Sequence, residues 1–274
     1  MIAPHLCVET LVYRYDPTIP ALNGVDLELP PGAFCALIGQ NGSGKTTLAK
    51  HLNGLLRPNS GRVLLDGQDC AQRSIGELAR SVGYVFQNPD HQIFAATVRE
   101  ELAFGPRNLG CEPDEIAERG EDALGRFDLM ALADAPPAVL GYGQRRLVTI
   151  AAVVAMRTPL LILDEPTTGL DWRSASQLMA LLAELNGAGH TILLITHDMR
   201  LVCDWTPRTL LMHEGRLLAD GPTAEVMARS EALARAQVAP PQVVRLGQSL
   251  RFDPTPLTVD GFCQRLQEGS GGAP

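Results

Sequence analysis

One stretch of this chain has residue types and spacing that could do chemistry on phosphate: Gly39-Gln40-Asn41-Gly42-Ser43-Gly44-Lys45-Thr46-Thr47. It matches G-x-x-x-x-G-K-[ST] without a gap. Glycines let the main chain pass close to phosphate oxygens with N–H groups turned inward. The lysine ammonium can reach β- and γ-phosphates, and the Thr46 hydroxyl can ligate magnesium. Such a loop needs a strand before it and a helix after it. Phe34-Cys35-Ala36-Leu37-Ile38 reads as the buried strand, and Leu48-Ala49-Lys50-His51-Leu52 as the helix. That helix turns its positive end toward the same anion. A plain glycine turn would not require Lys-Thr at this offset.

A second cluster lies downstream. Leu160-Leu161-Ile162-Leu163 is a short apolar strand that delivers Asp164 and Glu165 at its C-terminal end, where ligands bind in open α/β sheets. Asp164 can hold magnesium through water, and Glu165 can polarise an attacking water. A strand ending in Asp-Glu is weak evidence alone; downstream of a phosphate loop it is strong.

The elements that must position these groups follow from pattern. Strands are expected at 6–15, 25–29, 34–38, 62–66, 82–86, 160–163, 191–195, 209–212 and 216–218. Residues 16–20 read as a break between the first two. A short helix at 74–80 carries a capping-box pattern, Ser74 with Glu77 three residues on. Between Asn88 and Val139 strand-like runs vanish. Helices are expected at 97–104, 113–126 and 129–132, with Gly105-Pro106 and Pro136-Pro137 as breakers. Further helices are expected at 144–156 and 174–185, with another running from Thr223 as cap to 228. This predicts an α/β fold with a mostly parallel core sheet and a helical insertion spanning about 88–157. The main domain covers 1–230, followed by a helical extension over 231–274. Helices at 231–238, 243–250 and 258–266 in that extension serve either partner contact or as a cap on the core. Gly269 to Pro274 reads as disordered.

Composition narrows the partners. The 274 residues are 45% hydrophobic, enough for a substantial core, and carry a formal charge of −8. That disfavours nucleic acid and an anionic membrane surface as the main partner. Cys7, Cys35, Cys70, Cys111, Cys203 and Cys263 are scattered without a C-x-x-C pair, so neither a zinc site nor a disulfide framework is expected. Cys35, in the strand before the loop, reads as a core residue. The first residues lack a signal-type apolar segment, and no run approaches the ~20 apolar residues that span a bilayer. A reducing cytosol fits, with any membrane role exerted through a partner.

Three further motifs complete a resemblance: Asp164-Glu165-Pro166-Thr167-Thr168-Gly169-Leu170-Asp171, Thr196-His197-Asp198 and Leu140-Gly141-Tyr142-Gly143-Gln144. From about Leu6 to Arg229 the chain resembles the ATPase subunit of an ATP-binding-cassette (ABC) transporter. Gln87-Asn88-Pro89-Asp90-His91-Gln92-Ile93-Phe94, Ala103 to Gly110 and Pro240 to Leu246 are similar to the energy-coupling-factor branch, which powers cobalt, nickel and vitamin importers. The resemblance implies a P-loop ABC-ATPase fold with an antiparallel β subdomain beside the parallel core. It implies that Tyr15 stacks on adenine and that residues 39–47 hold the phosphates. Gln87 then meets magnesium and the attacking water, Glu165 is general base, and His197 touches the γ-phosphate. Asp171 and the signature loop, Gly141, Gly143 and Gln144, face a second ATPase bound head to tail. Magnesium would be held by Thr46, Gln87 and Asp164. Integral membrane subunits, one of them selecting the substrate, would complete a complex on the cytoplasmic face, and the C-terminal region would help pair the two ATPases.

One residue departs from the family pattern. Gly141 stands where the signature loop ordinarily has serine, whose hydroxyl reaches the γ-phosphate bound by the other subunit. A hydrogen bond to a charged group contributes roughly 1.5–3 kcal/mol, or about ten- to hundredfold in rate if fully expressed in the transition state. The Gly143 N–H and the helix start at Gln144 still offer positive ends, so weakened catalysis is expected at any site this signature completes. A water filling the gap is the bland alternative. Other readings are an ATPase of a different ABC importer or an exporter, a soluble ABC protein of DNA repair or translation, and a regulator with weakened turnover.

Overall fold

The computed structural model describes residues 3–270. The elements in order are β1 (Leu6–Asp16), β2 (Ile19–Leu29), β3 (Phe34–Ile38), α1 (Lys45–Leu52), β4 (Ser60–Leu65), β5 (Gln68–Asp69), α2 (Ile75–Leu78) and β6 (Val82–Val85). There follow α3 (Val98–Asn108), α4 (Pro113–Arg126), α5 (Tyr142–Ala155), β7 (Leu160–Asp164), α6 (Trp172–Gly187), β8 (Thr191–Ile195) and α7 (Met199–Trp205). The chain closes with β9 (Arg208–His213), β10 (Arg216–Pro222), α8 (Thr223–Ala228), α9 (Ser230–Arg235), α10 (Gln242–Ser249) and α11 (Val259–Ser270).

A six-stranded sheet in the order β10-β9-β3-β8-β7-β6 carries the site. All its pairs are parallel except β10 on β9. Every residue of β3, β7 and β8 is buried, as parallel strands covered on both faces must be. Register places Cys35 opposite Leu193 and Leu163 opposite Leu194. The ends of β3 and β7 therefore project from one edge, with β8 between them.

Alternation along β3 divides the core. Cys35 and Leu37 join a cluster with α1 and a four-stranded antiparallel sheet, order β2-β1-β4-β5. Ala36 and Ile38 face Val202, Val226, Leu233, Ala236 and Val244 of the C-terminal helices. The extension thus caps the core through α9 and α10. A third cluster joins α3, α4 and α5 to α6 and the β7 side of the sheet. Each buried aliphatic side chain contributes about 1.5–3 kcal/mol relative to exposure.

Several expectations need correction. The break at residues 16–20 is only a two-residue turn, because β2 already begins at Ile19 and pairs with Asp16. Gly105-Pro106 does not end α3, which runs to Asn108. A Cβ on Gly105 would lie 2.5 Å from Met156 Cγ, so this glycine lets α3 approach α5 closely instead of breaking it. The helix expected at 129–132 is a 3-10 turn at Met130–Leu132. Thr223 does not cap α8; its buried hydroxyl donates to the Thr206 carbonyl. Helix α7 had no sequence expectation. It starts from Asp198, whose carboxylate accepts from the Arg200 and Leu201 N–H groups. The capping box at Ser74 and Glu77 is present in both directions. The C-terminal tail expectation falls partly on α11, which reaches Ser270, and otherwise outside the described residues. The described cysteines are unpaired, and burial pushes the thiols of Cys35 and Cys203 up to about 11 and about 12. Both behave as core residues.

Candidate functional site

The loop after β3 takes the shape its glycines allow. Gly39, Gly42 and Gly44 have φ of 150°, 79° and 104°, values that side chains resist. Gly39 also passes so close to β9 that a Cβ would sit 2.2 Å from the Met212 carbonyl oxygen. Helix α1 begins at Lys45 with no side-chain cap, so its first N–H groups remain turned to the loop. The Lys45 ammonium donates to the carbonyls of Gly39 and Gln40 at 2.8 and 2.9 Å. Burial pushes its pKa down, while Glu165 and Asp164 pull it back up.

The end of β7 meets this loop. Thr46 Oγ1 donates to Asp164 Oδ2 at 2.8 Å, and the Tyr84 hydroxyl to the same oxygen at 3.3 Å. Burial holds the Asp164 pKa above the ordinary carboxylate range despite these two donors. Thr46 and Asp164 thus form a hydroxyl–carboxylate oxygen pair of the kind a small hard cation accepts alongside phosphate and water. Among the described residues no cluster of three His, Cys, Asp or Glu could hold a metal ion by itself. These donors fit magnesium carried on a phosphate chain rather than an all-protein cage.

Glu165 has φ of 51°, a left-handed value uncommon outside glycine and costly where it is held. Its N–H donates to the Ile195 carbonyl at 2.8 Å, which locks the turn against the end of β8. His197 Nδ1 lies 2.8 Å from Glu165 Oε1, so an imidazole N–H at that nitrogen orients the carboxylate. The other oxygen, Oε2, is buried and has no hydrogen-bond partner. A buried carboxylate oxygen without a donor is costly, and its lone pairs are open to an incoming hydrogen-bond donor.

Tyr15, Asn41, Gly42, Gly44, Lys45, Thr46, Thr47, Gln87, Asp164 and Glu165 line one cleft of about 490 Å³. Tyr15 is 63% exposed there, and its hydroxyl is 3.3 Å from Thr47 Oγ1; its neighbour Tyr13 instead packs into the core beside His51. A second hollow of about 510 Å³ adjoins it, shared by Gly39, Gln40, Asn41, Gln87, Glu165 and His197, with residues 237–239 on its far wall. Ser43 is buried beneath the loop, 1% exposed. Gly141, Gly143, Gln144 and Asp171 line neither cleft. Gly141 heads α5, where its N–H donates to Gln144 Oε1 at 3.1 Å. The reciprocal half of that cap needs a side-chain oxygen glycine lacks. Asp171 caps α6 by accepting from the Ser174 N–H at 2.7 Å.

A family model described as ABC transporter matches residues 22–168. The chain belongs to this family. Within it, similarity runs to the cobalt import ATP-binding protein CbiO of Rhodobacter capsulatus, 43% identical over 250 residues, 90% of this chain and 89% of that one. The energy-coupling factor transporter ATP-binding protein EcfA of Methanocaldococcus jannaschii is 41% identical over 243 residues, 87% of each chain. A solved CbiO1 from Clostridium perfringens, part of the transporter complex CbiONQ, superposes with a TM-score of 0.74 at 38% identity, covering 90% of this chain and 98% of its own. The chain spans only 40% to 44% of the length of three other relatives, to which it is 41% to 44% identical.

The ABC chain also contains two buried ionic residues that the motifs did not reveal. Arg146 in α5 is fully buried, and Glu101 in α3 is 3% exposed. Glu101 Oε2 accepts from the N–H groups of Phe94 and Ala95. Arg146 donates to the carbonyls of Phe86 and Gln87. Gln92 adds a third tie, accepting from the Phe86 N–H and donating to the Thr149 carbonyl. A periodicity signal existed: Arg146 falls in step with Thr149, Ile150 and Val153, all buried, whereas a solvated arginine belongs on the opposite face.

Proposed function

We propose that this chain binds magnesium ATP and hydrolyses it as the motor subunit of an energy-coupling-factor type importer for a metal ion such as cobalt or nickel, or for a vitamin. The observation that carries the reading is the Glu165 carboxylate: one oxygen is held by His197 and the other is buried, unpartnered and beside the glycine cradle. That is the disposition a general base needs to take a proton from water attacking the terminal phosphate.

The remaining roles follow from placement. Residues 39–47 cradle the phosphates, Lys45 neutralises β- and γ-oxygens, and Tyr15 offers its ring to the base from the cleft's outer wall. Thr46 and Asp164 would hold magnesium, with Gln87 reaching the same ion and the attacking water. When bound, the ion screens the phosphate oxygens and draws charge from the terminal phosphorus. His197 steadies Glu165 and contacts the γ-phosphate. Gly141, Gly143, Gln144 and Asp171 act on a second ATPase, a copy of this chain or a different one, which closes head to tail over the cleft. Closure performs work because nucleotide binds the closed pair better than the open one.

The proposed membrane partner's position is supported by a hollow of about 490 Å³ in the segment that follows Gln87, lined by Asp90, Ile93, Phe94, Ala95, Pro137, Ala138 and Arg145. Phe94 is 61% exposed there and packs edge-on against Phe104. No helix among the described residues is long and apolar enough to cross a membrane. As a motor subunit of such an importer, the chain is proposed to sit peripherally against its membrane subunits, on the cytoplasmic face. A separate membrane protein selects the substrate.

The test is phosphate release by the chain co-purified with its membrane subunits. Substituting Glu165→Gln should lower turnover about a thousandfold and leave magnesium ATP affinity within about twofold. Unchanged steady-state hydrolysis would remove Glu165 from the base role. Identifying the co-purified subunits distinguishes metal from vitamin import.

A further inference from the structure

The strand β6 stops pairing with β7 at Val85 opposite Leu163, so the carbonyls of Phe86 and Gln87 have no strand to accept from. One guanidinium supplies both. Arg146 sits one turn into α5 and is completely buried. Its Nη1 donates to the Phe86 carbonyl at 2.7 Å, its Nη2 to the Gln87 carbonyl, and Nη2 also lies 3.5 Å from the Tyr142 hydroxyl. No carboxylate among the described residues is ion-paired with it, and its Nε has no hydrogen-bond partner. Burying a cation without a paired anion is expensive. An aliphatic side chain would fill this space at lower cost if packing were all that mattered. The planar fork satisfies two adjacent carbonyls at fixed separation, which a lysine ammonium does not reproduce.

We infer that Arg146 is a positioning residue for Gln87. It bolts the Gln87 main chain to the first turn of α5, so that Gln87 and the loop carrying Gly141, Gly143 and Gln144 move as one rigid piece. A rotation of the helical insertion then carries the signature toward the opposing nucleotide and sets Gln87 against this chain's own nucleotide in the same step. The inference rests on the proposed role of Gln87.

The test is a double-mutant cycle in the assembled complex, reading kcat and KM for magnesium ATP. Arg146→Lys should lower kcat about tenfold with KM within twofold, because the glycine cradle is untouched. Gln87→Ala should lower kcat by itself, and adding Arg146→Lys to it should cost nothing further. A purely structural arginine would instead multiply its loss onto that of Gln87→Ala. Wild-type kcat in Arg146→Lys, a full tenfold loss on top of Gln87→Ala, or disappearance of the cooperative thermal transition in Arg146→Lys would each overturn the inference. If Gln87→Ala turns over normally while Arg146→Lys does not, the Gln87 reading has failed and takes this link with it.

Discussion

Gly39 in the glycine cradle after β3 and Gly141 at the head of α5 are the same residue under opposite constraints. Gly39 has φ of 150° and would drive a Cβ into the Met212 carbonyl at 2.2 Å. Gly141 has φ −63° and ψ 158°, an ordinary cap conformation, and its Cβ would meet only Gln144 Oε1 at 3.8 Å. Backbone geometry dictates the first glycine, and nothing in this chain dictates the second. The cradle is walled by the core sheet at Met212 of β9, which leaves no room for a side chain at Gly39. The loop at the head of α5 is largely exposed, and under the proposed function its residue choice would answer to the second ATPase that closes over it.

The sharpest way to break this contrast is Gly39→Ala. The new methyl group must displace β9 or the loop, so magnesium ATP affinity should fall at least about a hundredfold, roughly 2.7 kcal/mol, by calorimetry on a chain whose circular dichroism is checked. Retained affinity would mean that the cradle tolerates a side chain and that the two glycines are not different in kind.

Gly141→Ser tests the other side. Serine fits without strain, and its hydroxyl can accept from the Gln144 N–H, completing the reciprocal cap for a few tenths of a kcal/mol. If that hydroxyl also reaches the nucleotide held by the opposing subunit, phosphate release should rise about tenfold. An unchanged rate would show that the native glycine costs nothing and that a water or the neighbouring N–H groups suffice. Activity seen only in the serine form would instead favour a regulator over a motor.

The same contrast explains what could be read from residue order. The glycine loop after β3 and the placement of Asp164 and Glu165 at the end of β7 were legible because these residues are consecutive at strand ends. The capping box at Ser74 was legible for the same reason. Arg146 was not, since Arg145-Arg146 looks like a solvated pair and only one of the two turns inward. Arg145 instead meets the exposed Asp90 carboxylate at 3.2 Å. Gly105-Pro106 misled because local propensity ignores the neighbour: only the approach of α5 shows why a glycine is needed inside α3. The seven-residue α7 offered too short a pattern to separate from a loop. Contacts distant in sequence decide the first two cases: the Phe86 and Gln87 carbonyls for Arg146, where helical periodicity was the one local hint, and Met156 for Gly105.

Acid should act on the cradle's side of the comparison, through His51. This residue lies in α1 directly behind the loop, 1% exposed, with Nδ1 donating to the Thr47 carbonyl at 2.8 Å and Tyr13 packed edge-on at 4.7 Å. Burial pushes its pKa below the usual histidine value, and the carbonyls of Thr47 and Arg57 pull it only part of the way back. The unfolded chain therefore binds this proton more readily than the folded one. The sign follows: stability from a neutral His51 is complete above the unfolded value of about 6.5 and is lost as pH falls from there toward the lower folded value. One proton bounds the slope at about 1.4 kcal/mol per pH unit. Thermal melts between pH 7 and pH 5 should fall more steeply for the wild type than for His51→Gln, which keeps a donor for Thr47 but cannot be protonated. Parallel curves would mean that acid enters elsewhere, and that the buried foundation of α1 is no more sensitive than the exposed signature loop.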